Sequence, residues 1–510
     1  MRAILFAMPD VIWGFDLVTR LPNLGLVSIA GNIDKNLCDV KVCDLVVAKG
    51  DIRKFVRDLI VSYKPDIVGL SCMTFQYPSA IELAKLIKYI DEDILIAFGG
   101  YHPTIAYEEI SSSEDGKRYI DFIIRGEGEA TFNELIEAIQ GLRKIEEVKG
   151  LSYKHNGVFK HNDPRMPLNP ESINLPDRDA RILKDGFHIF GRRADVIETS
   201  RGCTFNCKFC CITKMYGKTY RTFKIERVMC DIENLKKIGV KSIFIVDDNI
   251  TINIKRFEEI CDAILQYGYD DIHYFVQASV KGIAYKEELV KKMKKAGFKG
   301  VFIGIETIIE EDSKILNVQS KRGSFDSIKR AVKYLKDNSI ITLGSFILGN
   351  PNDDESVFWK SLNVAKELKL DIPIFFLLTP YPGTEIRNEL MERKLITNID
   401  DWGNYNCFSP VIKTNYLSNE KIGLLHWKIC ESWFDNLSWL KYNRIKKHYP
   451  LYYLKMIFKT WPNHLFKSFL LKLRIRNERE LWIKDITNES AIFSTKKRIK
   501  KSKVKIIEGR

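Results

Sequence analysis

The sequence predicts an α/β protein in two parts, a doubly wound parallel sheet followed by a partial (βα)6 barrel, with a helical extension at its end. Three observations carry this. Short apolar runs alternate with helical patterns over residues 1–145, the alternation resumes for six units over 191–412, and from about Ser418 only helical patterns rich in Trp, Tyr, Phe and Lys remain. A chain of 510 residues also exceeds what one core supports. The expected divisions are 1–145, a linker over 146–190, 191–412 and 413–510.

In the first part, strands are expected at Ala3 to Ala7, Val40 to Val47, Asp66 to Cys72, Ile94 to Phe98 and Phe122 to Ile124. Helical patterns lie around Leu24 to Asn32, Ile52 to Tyr63, Ser79 to Tyr89 and Thr131 to Leu142. In such a Rossmann-like sheet, ligands sit beyond the carboxyl ends of the strands. The loops there are Pro22 to Gly25, Ser71 to Pro78, Gly99 to Thr104 and Arg125 to Glu129, and their glycines let a backbone approach a large flat ligand. The linker opens with a hairpin at Asn156-Gly157 and continues through Pro164, Pro167, Pro170 and Pro176, tethering the first part over the second.

The second alternation has strands at Val196 to Thr199, Ser242 to Val246, His273 to Gln277, Val301 to Ile305, Thr342 to Leu348 and Ile372 to Leu378. Helices at Lys224 to Lys237, Lys255 to Tyr267, Lys286 to Ala296 and Ser324 to Asn338 fall between them, which predicts a partial TIM-type barrel. Barrels of this kind place their chemistry at the carboxyl ends of the strands.

Behind the first barrel strand stands the stretch that carries the chemistry, Arg201-Gly-Cys203-Thr-Phe-Asn-Cys207-Lys-Phe-Cys210-Cys211. Three thiolates at Cys-x3-Cys-x2-Cys can hold three corners of a cubane iron–sulfur cluster while leaving the fourth iron open for a ligand. The alternatives are a zinc knuckle and three buried thiols. Structural zinc wants four closed ligands, and only Cys211 is near.

The spacing, the Arg201-Gly202 pair before the first cysteine and Phe209 before the third resemble the radical S-adenosylmethionine (SAM) enzymes. The resemblance implies a [4Fe-4S] cluster on Cys203, Cys207 and Cys210, with SAM chelated on the open iron and cleaved to a 5′-deoxyadenosyl radical. It also implies SAM contacts. Asp247 and Asp248, after the second strand, would face the methionine ammonium, helix capping being the other reading of this cluster. Gly304 and Glu306 follow the fourth strand, Glu306 as an acceptor and Gly304 leaving room for the nucleoside. Gln277 is a lesser candidate, with Ser279 beside it. Ile347 and Gly349 would line the adenine face and the Phe209 backbone its edge, while Tyr381 would wall the substrate cavity.

The Pro-x-Leu-Gly turn, the Gly-Gly-x-His-Pro-Thr loop and the Arg-Gly-Glu-Gly-Glu turn resemble the cobalamin-binding domain that precedes many radical SAM cores. The contacts this implies are Gly25, Ser71, Thr74, Gly99, Gly100, His102, Gly126 and Glu127. The Asp-x-His-x-x-Gly sequence that supplies an axial histidine in many cobalamin proteins is absent. His102, the one histidine of residues 1–145, reads as a loop-packing residue rather than a ligand. Methylthiotransferases place a second cluster in a similar domain, but Cys38 and Cys43 do not lie at strand tips with Cys72, and free buried thiols explain all three.

Together the resemblances imply a cobalamin-dependent radical SAM enzyme that methylates an unactivated carbon of a small biosynthetic intermediate in an anaerobic setting. Cyclisation, rearrangement or oxidation without methyl transfer is the alternative, and a non-catalytic cobalamin or SAM sensor is the distant one. The implied partners are a small-molecule or lipid substrate and an electron donor such as flavodoxin or ferredoxin. Composition adds bounds: 45% hydrophobic and 29% charged residues are ordinary for a globular protein. No run approaches the roughly 20 apolar residues of a membrane span, and the start reads as a strand rather than a signal peptide. Eleven cysteines, an odd number, point to a reducing, cytoplasmic setting. Near the end, Leu451 to Trp461 and Phe466 to Arg474 are amphipathic with a basic face, and residues 494–510 carry eight basic residues against one acid. This extension suits peripheral contact with an anionic membrane or a helical cap with a solvated tail. No nucleic-acid motif accompanies it.

Overall fold

The computed structural model describes residues 1–11, 18–434 and 443–454. Its strands, in chain order, begin with β1 (Arg2–Ala7), β2 (Thr19–Arg20), β3 (Asp39–Asp44), β4 (Ile67–Ser71), β5 (Leu95–Gly99) and β6 (Phe122–Ile124). They continue with β7 (Leu151–His155), β8 (Val158–His161), β9 (His188–Ile189), β10 (Arg192–Ile197), β11 (Ser200–Arg201) and β12 (Arg221–Thr222). The last are β13 (Ser242–Ile245), β14 (His273–Ser279), β15 (Phe298–Glu306), β16 (Ile341–Leu348) and β17 (Ile372–Leu377).

The first sheet runs β3-β1-β4-β5-β6-β7-β8. Its first five strands are parallel, in the 2-1-3-4-5 order of a doubly wound fold, so chain direction switches beside β1. β1 is buried on both faces: Ile4 and Phe6 join one core, and Ala3, Leu5 and Ala7 the other. Helices Ile52–Tyr63 and Tyr77–Ile90 cover the first face, while Leu24–Gly31 and Gly128–Ile139 cover the second. Asn23 caps helix Leu24–Gly31 by accepting from the Leu26 amide at 3.0 Å. Three short helices between β5 and β6 were not legible in the sequence, because pieces of five or six residues show no full apolar period.

The hairpin placed in the linker is part of the first sheet. β7 pairs antiparallel with β6 and β8 with β7, with Asn156 and Gly157 both at positive φ as a two-residue turn requires. Its strands occupy backbone groups that β6 would otherwise leave open at an edge.

The second sheet runs β17-β16-β15-β14-β13-β10-β9-β2. The six strands β10 and β13 to β17 are parallel and lie in chain order, forming the expected (βα)6 half-barrel. Two short antiparallel strands extend its edge, and one of them, β2, comes from the first twenty residues. The chain therefore begins in one sheet, touches the edge of the other, and returns. Between the sheets, residues 178–181 run back along β3, where Ile182 donates to the Val42 carbonyl at 2.8 Å. Arg181 then pairs with Asp195 of β10, both side chains being 4% exposed.

Helix Asn419–Phe434 packs on β17, where His426 Nε2 lies 2.7 Å from the Phe375 carbonyl. Residues 1–448 form one compact unit. The basic amphipathic stretch and tail expected near the end fall almost wholly outside the described residues. Among the described residues no helix is long and apolar enough to cross a membrane.

Removing the Asp195 carboxylate strands the buried Arg181 guanidinium. Asp195→Ala is expected to destabilise the protein by about 3–5 kcal/mol, seen as a lowered urea midpoint; an unchanged midpoint would show that water or another acid replaces the partner.

Candidate functional site

The chain leaving β10 is pinned residue by residue before it reaches the first cysteine. The Thr199 amide and hydroxyl and the Ser200 hydroxyl all donate to the Asp247 carboxylate, at 2.6, 2.5 and 2.6 Å. The Gly202 amide donates to Asp248 at 2.9 Å. Gly202 itself is irreplaceable: its φ is 88°, and a Cβ there would meet the Thr219 carbonyl at 2.4 Å. Beyond it, the Lys208 amide donates to the Leu316 carbonyl and the Ile386 amide to the Lys208 carbonyl, so the cysteine loop is anchored to the end of helix Glu310–Ile315 and the start of helix Glu385–Glu392.

One cavity at the carboxyl ends of the barrel strands gathers Cys203, Cys207, Cys210, Asp248, Gln277, Gly304 and Glu306, with Asn249, Ser279 and Lys321 in the same wall. Among the described residues no three His, Cys, Asp or Glu side chains converge as ligands of a single ion. The three cysteines share the wall of this one cavity. Burial pushes the Cys207 thiol up to about 11, against the pull of Lys321, and pushes Cys210 higher still.

Lys321 was not singled out in the sequence. Its ammonium pairs with Glu306 and lies 5.8 Å from the Phe209 ring centre. Burial disfavours its charge, but Glu306, Cys207 and Cys210 hold its pKa above the usual lysine value. Glu306 reaches Lys321 through a strained turn, with φ of 65° and a register shift between β15 and β16 at Gly304/Glu306. The space over Gly304, expected to leave room for a nucleoside, is filled by Glu306: a Cβ there would lie 2.2 Å from Glu306 Oε1.

The two neighbouring aspartates divide the work. Asp247 is 1% exposed and committed to Thr199 and Ser200, so it positions the loop and does not line the cavity. Asp248 does line it, and burial pushes its carboxyl up to about 7 against the Gly202 amide. Beside it Asn249 Oδ1 accepts from Thr251 and from the Ser279 amide, leaving its buried Nδ2 donor without a partner. Phe209 and Ile347 belong to an apolar cluster with Trp402 and Tyr405. Gly349, at φ 83°, donates its amide to Asp353. The Tyr381 hydroxyl lies 3.1 Å from Cys407 Sγ.

In the first sheet, Ser71, Gly99, Gly100 and Gly126 stand at or just beyond the carboxyl ends of strands and Thr74 follows three residues after β4, while Gly25 lies in the first turn of helix Leu24–Gly31. Gly126 has φ of 78° and nothing within 4 Å of where a Cβ would be, while Gly100, at φ 97°, would meet the Cys72 carbonyl at 2.8 Å. Bare backbone facing open space is a fit for a large flat ligand. His102 is 1% exposed and packed between Tyr77 and Trp402, at 4.6 and 5.1 Å. Burial and Arg387 push its pKa down to about 3, so it packs the loop and shows no open face.

Glu127 corrects the sequence reading. Its oxygens accept from Arg201 Nη1 at 2.7 Å, from Arg221 at 3.0 Å and from the Leu168 amide at 2.7 Å. No lone pair is left for a corrin side chain. Arg201 also pairs with Glu129 at 2.6 Å and Glu198 at 2.7 Å, and Glu129 accepts from Ser28 at 2.7 Å. The sequence had shown Arg201 only as part of the cysteine motif.

A half-barrel with three cysteines at its mouth, preceded by a doubly wound sheet with glycine-edged loops, is the architecture that the resemblance to corrinoid-linked radical enzymes implies. The chain matches the B12 binding domain over residues 14–136 and the Radical SAM superfamily over 197–365. It is 34% identical over 417 residues to an uncharacterized methyltransferase of Pyrococcus horikoshii, covering 80% of this chain and 86% of that one. It is 26% identical to the anaerobic magnesium-protoporphyrin IX monomethyl ester cyclase of Rubrivivax gelatinosus, over 79% of this chain and 73% of that one. Among solved structures, the cobalamin-dependent SAM radical enzyme OxsB with aqua-cobalamin and SAM bound aligns over 96% of this chain and 75% of that one, with TM-score 0.66 and 20% identity. The chain belongs to the cobalamin-dependent radical SAM enzymes, whose cofactors are a [4Fe-4S] cluster, SAM and cobalamin.

Behind Gly349, Asp312 and Asp353 share one buried site. Burial and the neighbouring Asp312 hold the Asp353 carboxyl well above its usual range, so the folded state keeps a proton that the unfolded chain releases above about pH 4. Stability therefore falls as pH rises above that point toward the raised value. Asp353→Asn, which supplies an N–H in place of the shared proton, is expected to flatten this dependence in urea melts between pH 5 and 9; an unaltered slope would assign it elsewhere.

Proposed function

We propose that Cys203, Cys207 and Cys210 hold the cluster, and that the enzyme methylates an unactivated carbon of a small biosynthetic intermediate. The observation that supports this most is the pairing of a three-cysteine cavity with glycine-edged strand ends on a second sheet, joined by a buried ion network. The similarity to the uncharacterized methyltransferase of Pyrococcus horikoshii supports it.

When bound, the cluster supplies the electron that cleaves SAM to a 5′-deoxyadenosyl radical, and the corrinoid supplies the methyl group. The chain's own residues set the stage. Asp248 and Gln277 accept from the methionine ammonium, and an arriving cation favours the Asp248 carboxylate that burial otherwise disfavours. The unpartnered Asn249 Nδ2 donates to the carboxylate end, which satisfies an otherwise costly buried donor. Lys321 sets one positive charge beside the thiolates, and Glu306 fixes where that charge sits. Asp247 holds the loop from behind, Ile347 and Gly349 shape the barrel wall, and Tyr381 walls the space beyond. The loops at Gly25, Ser71, Thr74, Gly99, Gly100 and Gly126 take the corrin, with His102 packing them from beneath. A small reducing protein such as flavodoxin or ferredoxin feeds the cluster. A second reading, ring formation or oxidation without net methyl transfer, is favoured by the cyclase relative.

Anaerobic reconstitution with iron, sulfide and hydroxocobalamin, then reductant and SAM, tests the proposal by mass spectrometry. Both 5′-deoxyadenosine and S-adenosylhomocysteine are expected; deoxyadenosine alone would move the assignment to the second reading. Cys207→Ala is expected to lose the cluster absorbance and the deoxyadenosine.

The two aspartates separate roles. Loss of a charged hydrogen bond of about 1.5–3 kcal/mol predicts that Asp248→Asn weakens SAM binding about tenfold or more, with iron content retained. Equal SAM affinity in Asp248→Asn and the parent would remove Asp248 from the site.

A further inference from the structure

The two-stranded ribbon of β11 and β12 places Arg201 directly opposite Arg221. Like charges in cross-strand register repel, and neither guanidinium faces solvent: their side chains are 6% and 15% exposed. Glu127 of the first sheet lies between them, 4% exposed, and accepts from both. Glu129, two residues further on in the first turn of helix Gly128–Ile139, accepts from Arg201 and from Ser28 on the neighbouring helix. Glu198, two residues before the ribbon, closes the set from the barrel side. Burial opposes the Glu129 charge, yet Arg201 holds its pKa below the ordinary value.

Arg201 is also the middle of a pinned run. Ser200 before it is fixed by Asp247, Gly202 after it by the cavity-lining Asp248, and Cys203 follows. On the other side, Glu127 is the N-cap of the helix that begins at Gly128, directly behind the open Gly126 backbone. One ion pair, Arg201 to Glu127, thus joins the strand-end loop of one sheet to the stretch that leads into the first cysteine on the other.

We propose that Arg201 is a positioning residue for the pair of cofactors: through Glu127 and Glu129 it sets the separation between the cysteine loop and the corrin-facing loops. This rests on the cofactor assignment proposed above. A structural contact of no further consequence would hold the sheets together without fixing that separation.

The test uses the full chain loaded with iron, sulfide and hydroxocobalamin. Arg201→Gln would take the ion-pair partner from both Glu129 and Glu198, so the variant of choice is Glu129→Gln. It leaves two carboxylates against two guanidiniums, and its amide oxygen still accepts from Ser28. Ser28→Ala is the milder second variant and decides the matter if the first does not fold. The readout is electron paramagnetic resonance of the cob(II)alamin signal with the cluster reduced and with it oxidised, since the coupling between two paramagnets depends steeply on their separation. The parent protein is expected to show a signal broadened by the reduced cluster. The variant, at equal iron and corrinoid content, is expected to show altered broadening and about tenfold weaker SAM binding. Equal broadening and equal SAM affinity in the parent and the folded variant would overturn the proposal. A parent that takes up neither cluster nor corrinoid would instead overturn the cofactor assignment, and is recognised before any variant is made.

Discussion

Three carboxylates and two guanidiniums buried between two sheets form the constraint on which the rest of the structure depends. Removing ions from water costs several kcal/mol each, and only close, multiple hydrogen bonds offset that cost. Arg201 has all three of its donor nitrogens engaged, so the geometry around it has little freedom. A polar interface of this kind contributes less to raw stability than an apolar one of equal area. What it fixes is register, because sliding the sheets by even one residue would leave charges unpaired.

A second buried constraint works on a smaller scale at the barrel mouth. Glu306 adopts a left-handed conformation that costs about 1–3 kcal/mol for a residue with a side chain, and the strand it ends is locally out of register with its neighbour. The outcome is a carboxylate folded back over Gly304 to meet Lys321. Strain here places a cation beside three sulfurs. Gly304 is small because Glu306 needs the space above it, which is a different reason from the one its position first suggests.

The fold class was legible because it rests on periodicity. β1 shows it: five apolar residues in a row mean a strand covered on both faces, and the two cores divide its odd and even positions. The cysteines were legible because spacing is local. What the sequence concealed was direction. Asp247 and Asp248 look equivalent as neighbours, yet successive residues leaving a strand point to opposite sides, and one became a loop anchor while the other faces the cavity. Glu127 looked like part of a ligand loop and turned out to answer an arginine 74 residues away. Lys321 gave no signal at all, since its role depends on a strand turn that only Glu306 and Gly304 together produce.

The two halves of the site are built on different principles. The barrel cavity presents charged and amide groups already oriented by hydrogen bonds to Thr251, Ser279 and Gly202, which suits a zwitterion. The first sheet presents bare glycine backbone, which suits a broad macrocycle recognised by shape. Across the two halves, Tyr101 at the start of helix Tyr101–Ile105 meets Tyr216 edge to face at 6.5 Å, and the Tyr381 hydroxyl is tied to Cys407. These side chains come from separate elements and share no sequence motif, so their meeting is a product of the fold, unlike the cysteine loop, whose spacing is written in one stretch of chain.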